Sequence, residues 1–177
     1  MSSREDIERV AMRLFTERGF DATTVDDIAA AAGISRRTFF RYFGSKNDVV
    51  WGRFAEGLAD LRATLAATPA EVPLADALRA AIVAFNALPA EQVPLHRQRM
   101  TVIFSAESLL AHSTLMYAEW RAVIAEFVAQ RTSDALLPRL AGHLMLGAAV
   151  TAYEQWLDDP AADLAALLEN TVTRVTV

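Results

Sequence analysis

The 177-residue chain contains no cysteine, which excludes disulfides, thiol nucleophiles, thiolate metal sites and thiol redox chemistry, and fits a reducing cytosol. Lysine occurs once, as Lys46. Glycine and proline are scarce, at seven and six, and there is neither an internal repeat nor a low-complexity segment. No run approaches the roughly 20 uninterrupted apolar residues of a membrane span. The first residues, MSSREDIERVAMRLF, carry acids where a secretory signal needs an apolar stretch. A soluble cytoplasmic protein without a membrane partner is expected. Catalytic patterns are missing too: there is no G-x-S-x-G, P-loop, G-x-G-x-x-G or H-E-x-x-H. His96, His112 and His143 lie far apart with no matching carboxylate spacing. No catalytic residue, metal or cofactor is expected.

What remains is an acidic, apolar chain, 53% hydrophobic with a net charge of -5. The charge is unevenly spread. Residues 1–53 hold nine basic against eight acidic side chains, and residues 54–177 hold eight against fourteen. Within the first part, the stretch GISRRTFFRYFGSK carries three arginines, the lysine and four aromatics without one acid. A basic patch on an acidic body suits a nucleic-acid site presented in one orientation, not general adhesion to nucleic acid.

Helical periodicity runs through the chain. Ile7, Val10, Ala11, Leu14 and Phe15 follow the spacing of one buried helix face, and Ser3 with Asp6 is spaced like a capping box. This predicts a first helix over residues 4–18, ended by Gly19, with Phe20 folding back on the apolar face. Thr24 caps a second, two-turn helix that Gly33 breaks, and Ser35 caps a third reaching about residue 43. A fourth starts at Lys46 and continues through Trp51, Phe54, Leu58, Leu61 and Leu65. Five more are expected near 74–88, 95–110, 115–130, 136–157 and 163–175, separated by proline-containing or polar connections. Gly142, Ala148, Ala149 and Ala152 would let the eighth pack closely, which fits a core as well, but an interface is expected on its outer face. The expected fold is all-α, about nine helices in all: an N-terminal three-helix domain over 1–46 and a C-terminal helical domain over 47–177.

Two short helices joined by Ala-Gly-Ile-Ser match the helix-turn-helix pattern, whose second helix enters the DNA major groove. At about 100° per residue, Phe39, Phe40 and Phe43 gather on one side of the third helix while Arg37, Thr38, Arg41 and Tyr42 cover the other. Arg36, at the first turn, can still reach outward along its long stem. The arginine fork matches O6 and N7 of guanine, so Arg36 and Arg37 are the candidate readers. Tyr42 and Lys46 would position the duplex through phosphates.

The stretch GFDATTVDDIAAAAGISRRTFFRYFGSKNDVV resembles the DNA-binding region of the TetR family of bacterial transcriptional repressors, and the nine-helix plan extends the likeness over the whole chain. RRTFFRYFGSKNDVVWG, LADALRAAIVAFN, HRQRMTVIF and MYAEWRAVIAEFVAQR resemble, more narrowly, the subgroup associated with mycofactocin biosynthesis. The resemblance implies a helix-turn-helix DNA-binding domain over 1–46 and a ligand-binding and dimerisation domain over 47–177, with a homodimer built on the last two helices, a double-stranded operator as partner, and a small hydrophobic effector that releases DNA. For the subgroup it implies acyl-CoA thioesters as the effector class. Position by position, Thr24, Tyr42 and Lys46 match phosphate contacts, Arg36, Arg37 and Thr38 match base-reaching positions, and Arg41 matches an exposed one. Two departures stand out: Arg37 replaces a residue that is small in many members, and Phe40 replaces a frequent tyrosine.

For the effector, the candidate lining is Phe54, Leu58, Leu61, Phe85, Met100, Phe104, Met116, Tyr117 and Trp120. For any one of these, ordinary core packing competes with cavity lining. Arg97 and Arg99 could pair with the phosphates of a CoA-like ligand, against a reading of both as solvated surface. A ligand-independent DNA-binding protein is the alternative function, and a helical enzyme a remote one.

Overall fold

In the computed structural model, which describes residues 3–175, ten α-helices account for nearly all of the regular structure. They are α1 (Arg4–Arg18), α2 (Val25–Ala31), α3 (Arg36–Tyr42), α4 (Lys46–Trp51), α5 (Phe54–Ala66), α6 (Leu74–Phe85), α7 (Val93–Ser105), α8 (Glu107–Ala129), α9 (Leu137–Asp158) and α10 (Leu164–Val175), with a 3-10 turn at Ala90–Gln92 before α7. No strand occurs among the described residues. The chain divides into two compact units. One comprises the residues through Arg53 together with Pro89–Thr114; the other comprises Phe54–Leu88 and Leu115 onward.

In the first unit the helix starts follow their capping residues. Ser3, Thr24 and Ser45 each close a capping box with the acid three residues on (Asp6, Asp27, Asp48), and the Ser35 hydroxyl accepts from the Thr38 amide. Phe20 folds back as expected, its ring 4.9 Å from that of Phe15. Thr23, buried in the α1–α2 turn, donates its hydroxyl to the Gly19 carbonyl at 2.8 Å. Ile7, Met12, Phe15, Ile28, Phe39, Phe43 and Val50 form the core, with Val102 and Ile103 of α7 also buried. α7 packs on α1 and α4. There the buried guanidinium of Arg99 pairs with the carboxylate of Glu8.

The fourth expected helix is two helices. Gly52, at φ +55° and ψ -118°, ends α4 in a conformation that favours glycine. A Cβ there would stand 3.4 Å from Glu8 Oε1 and 3.5 Å from Arg99 Cζ. The expected sixth and seventh helices are also redrawn. The chain breaks at Ala106, and residues 111–114, expected as a connection, lie inside α8, where the Ser113 and Thr114 hydroxyls turn back to the carbonyls of Leu109 and Leu110.

In the second unit α9 and α10 pack on each other, α5 on α6 and α6 on α10. Leu58, Leu61, Leu78, Ile82, Trp120, Ile124, Met145, Trp156, Leu168 and Val172 are buried. Gly142, Ala148, Ala149 and Ala152 are buried as well, so these small residues of α9 serve this unit's own packing and not the outer interface expected of them. A Cβ on Gly142 would lie 3.0 Å from the Arg121 carbonyl oxygen, which shows how closely α9 approaches α8. The solvent-facing side of α9 carries Leu140 and Leu144, with Leu136 just before the helix. Arg131 closes the far end of α8 by donating to the carbonyls of Thr68, Pro69 and Val72 at 2.7, 3.0 and 3.0 Å.

Candidate nucleic-acid interface

α3 owes its two faces to its sequence. Phe39 and Phe43, four apart, are buried with their rings 5.4 Å from each other, and they anchor the helix on the first unit's core. Arg36, Arg37, Phe40 and Arg41 are exposed; Thr38 and Tyr42 are half-buried. Phe40 thus departs from the expected apolar side. It is 43% exposed, because it stands between the two faces, with its ring perpendicular to that of Phe39 at 5.4 Å. Arg37, Thr38, Phe40 and Arg41 line a shallow concavity of about 550 Å³ on this surface. With three guanidinium groups and no acid on α3, that face is a cationic surface of the width of one helix.

The arginines are not equally disposed. Nη1 of Arg36 donates to both carboxylate oxygens of Asp26 on α2, each at 2.9 Å, and the guanidinium lies 5.3 Å from the Phe40 ring centre. Arg41 lies over the Tyr42 ring at 5.0 Å and Nη2 donates to its hydroxyl at 3.3 Å. From the other side, Arg4 holds the end of α3: Nη1 donates to the Tyr42 carbonyl at 2.7 Å, and the guanidinium stacks 4.5 Å from the Phe43 ring centre.

Thr24 is exposed at the start of α2, where its hydroxyl caps the helix and its bonds to Asp27 hold that carboxyl below its ordinary range. Lys46 is turned toward the protein. Its ammonium donates to the carbonyls of Phe20 at 2.7 Å and Thr23 at 2.9 Å and sits over the Phe20 ring. Burial lowers its pKa. This lysine ties α4 to the α1–α2 turn, a role that the sequence pattern did not signal because the acceptors are backbone atoms more than twenty residues away.

The expected effector residues fall in both units. In the second, Leu58, Leu61 and Trp120 are buried, and Phe54, Phe85, Met116 and Tyr117 are half-buried. Phe54 and Phe85 meet edge to face at 6.2 Å, and the absence of a side chain at Gly57 makes room for the Phe85 ring. Near them lies a polar pair that the sequence reading missed. The Tyr153 hydroxyl donates to Asn86 Oδ1 at 2.8 Å, and Asn86 Nδ2 donates to the Ile82 carbonyl at 2.8 Å. Burial raises the Tyr153 pKa well above its usual value, so the phenol stays protonated.

In the first unit Met100 is buried and Phe104 and Arg97 are half-buried, while Arg99 is engaged by Glu8. His96 is held neutral by burial, its pKa pushed down to about 4. Among the described residues, no three His, Cys, Asp or Glu side chains are grouped to hold a metal ion, and no helix is long and apolar enough to cross a membrane.

Residues 7–50 match the family model for bacterial regulatory proteins of the tetR family, and residues 72–176 match the model for the MftR C-terminal domain. MftR of Mycobacterium tuberculosis, named for regulating mycofactocin biosynthesis, is 48% identical over 162 residues, which span 89% of this chain and 81% of that protein. The regulator TcmR of Streptomyces glaucescens is 32% identical over 73% of this chain and 60% of its own length. Among solved structures, the repressor FadR of Thermus thermophilus in complex with lauroyl-CoA superposes with a TM-score of 0.61 at 24% identity, covering 98% of this chain and 93% of that one. FadR of Bacillus halodurans gives 0.71 at 18% identity, covering 98% and 97%. At such identities the likeness to the two structures is one of fold.

Proposed function

The chain belongs to the TetR family of transcriptional regulators, with a C-terminal domain of the MftR kind, and from that premise we propose that it is a dimeric repressor released from a pseudo-palindromic operator by a small hydrophobic effector. It is a regulator, not an enzyme. The observation that carries the DNA reading is α3, a helix anchored by Phe39 and Phe43 that turns Arg36, Arg37 and Arg41 to solvent. Arg36, Arg37 and Thr38 read bases; Thr24, Arg41, Tyr42 and Lys46 position the duplex. The functional division falls at 46/47, with DNA binding before it and effector binding and dimerisation after it, in a protein that acts in the cytoplasm.

The proposed dimer face is the exposed side of α9 and α10. Leu140 and Leu144 are 45% and 40% exposed on one side of α9, and Ala166, Asn170 and Thr173 are exposed on α10. Two recognition helices so joined would reach half-sites about 34 Å apart. Leu144→Glu is expected to convert the dimer to monomer in sedimentation. An unchanged dimer would place the interface elsewhere.

For the effector we propose a long-chain acyl-CoA, with its chain against Phe54, Phe85, Met116 and Tyr117 of the second unit. The FadR structure of similar fold, which holds lauroyl-CoA, supports this class. The test is titration of the protein onto duplex from upstream of its own gene, at fixed salt, with and without lauroyl-CoA. Release by lauroyl-CoA supports the whole reading; tight specific binding that ignores it keeps the regulator and discards the effector class. Arg37→Ala is expected to weaken binding to this duplex far more than to random duplex. Equal losses on both would remove Arg37 as a reader. The affinity of the parent protein should fall with a log-log salt slope near -0.9 per phosphate neutralised.

A further inference from the structure

Asp26 is an acid beside a surface meant for a polyanion. Both of its oxygens accept from Nη1 of Arg36 at 2.9 Å, although the two side chains are 68% and 59% exposed. An ion pair that open to water adds little to stability. The capping box of α2 is already closed by Asp27, so the helix start does not depend on Asp26 for it. Against these small returns stands the repulsion of phosphate by a carboxylate next to the recognition helix.

The geometry of the arginine accounts for the acid. Asp26 grips the guanidinium at Nη1, and Phe40, one turn further along α3, lies under it. The two contacts together limit the direction and the plane of a side chain that otherwise has many rotamers. The edge left to recognise a ligand is Nε–H with Nη2–H, two parallel donors that fit O6 and N7 of guanine. The exposure of Phe40 has the same explanation, since a buried ring could not support a group at the groove.

We propose that Asp26 is a specificity-determining positioning residue, which orients Arg36 so that its Nε–Nη2 edge reads a guanine in the major groove. This rests on the reading of α3 as the recognition helix. Asp26 makes Arg36 a selective reader at the expense of general affinity, because its charge lowers the attraction to every duplex alike.

The experiment is selection from a randomised duplex pool by the parent protein. The affinities of the parent, Arg36→Ala and Asp26→Ala are then measured on the selected sequence, its single-base-pair variants and random duplex. Arg36→Ala identifies the base pair that Arg36 reads. Asp26→Ala is expected to lose about tenfold in discrimination at that same pair, while binding random duplex as tightly or more tightly. Its melting should match the parent, as the pair is exposed. Full discrimination in Asp26→Ala, or an equal loss on all DNA, overturns the proposal. So does tighter binding of the selected sequence with discrimination intact, which would make Asp26 merely a brake. If Arg36→Ala itself erases discrimination at no base pair, or the parent selects no sequence, the underlying reading of α3 has failed, and the proposal with it.

Discussion

Arg99 of α7 and Glu8 of α1 form an ion pair whose side chains are only 21% and 13% exposed. Burial lowers the arginine's pKa, yet the guanidinium remains charged opposite its partner. A buried pair of this kind is costly to break from one side, because the survivor is left charged in a poor dielectric. Glu8→Ala and Arg99→Ala should each destabilise the protein by about 3 kcal/mol in denaturant unfolding. A double change to Leu at 8 and Met at 99 should recover most of that loss. If the Glu8→Ala/Arg99→Ala double variant were as unstable as the sum of the two singles, the two groups would not be coupled.

Gly52→Ala meets one obstacle, a backbone at φ +55°, since its Cβ would stand at ordinary contact distance, 3.4 Å, from Glu8 Oε1. It should cost about 1–2 kcal/mol. Thermal melting checks this. A neutral or stabilising effect would mean that α4 and α5 can rejoin as one helix.

Lys46→Met removes the ammonium that donates to the Phe20 and Thr23 carbonyls and sits over the Phe20 ring, and leaves an unbranched apolar side chain. A loss of about 2 kcal/mol is expected from melting without DNA, together with weaker binding to all duplexes. A lysine whose role lay only in touching phosphate would leave the melting curve where it was.

His96 sets a pH dependence. Its pKa falls from the usual 6.5 to about 4 in the folded protein. Between those values the unfolded chain takes up a proton that the folded chain refuses. Its contribution is therefore complete above about pH 6.5 and declines as pH drops toward 4. Urea midpoints at about pH 7 and about pH 5 should differ more in the parent than in His96→Gln. Equal differences would show that the imidazole is not the group responsible.

The parts of the fold that could be read from sequence are those decided locally. Ser3, Thr24 and Ser35 announce α1, α2 and α3 within their own first turns, and the bounds fall where the caps place them. The break at Gly52 could not be seen this way. Trp51, Phe54 and Leu58 keep helical spacing across it, and the groups that pack beside Gly52, on Glu8 and Arg99, come from distant sequence. The same holds at the site. A 100° wheel finds the basic face of α3, but the grip of Asp26 on Arg36 and the inward turn of Lys46 depend on partners ten and more than twenty residues away. The same wheel puts Phe40 on the apolar side, yet Phe40 lies at the boundary between faces, where rotation alone does not decide burial.

Pro89–Thr114 folds with the N-terminal helices although Phe54–Leu88 comes between them in the chain. A gene fragment cut at Arg53 would therefore discard α7, strip the cover from α1 and α4, and leave Glu8 without its counter-ion. The DNA reader is not a detachable N-terminal cassette. A chimera that transplants its operator preference onto another sensor must carry both stretches together, or graft only the exposed side chains of α3 with Asp26.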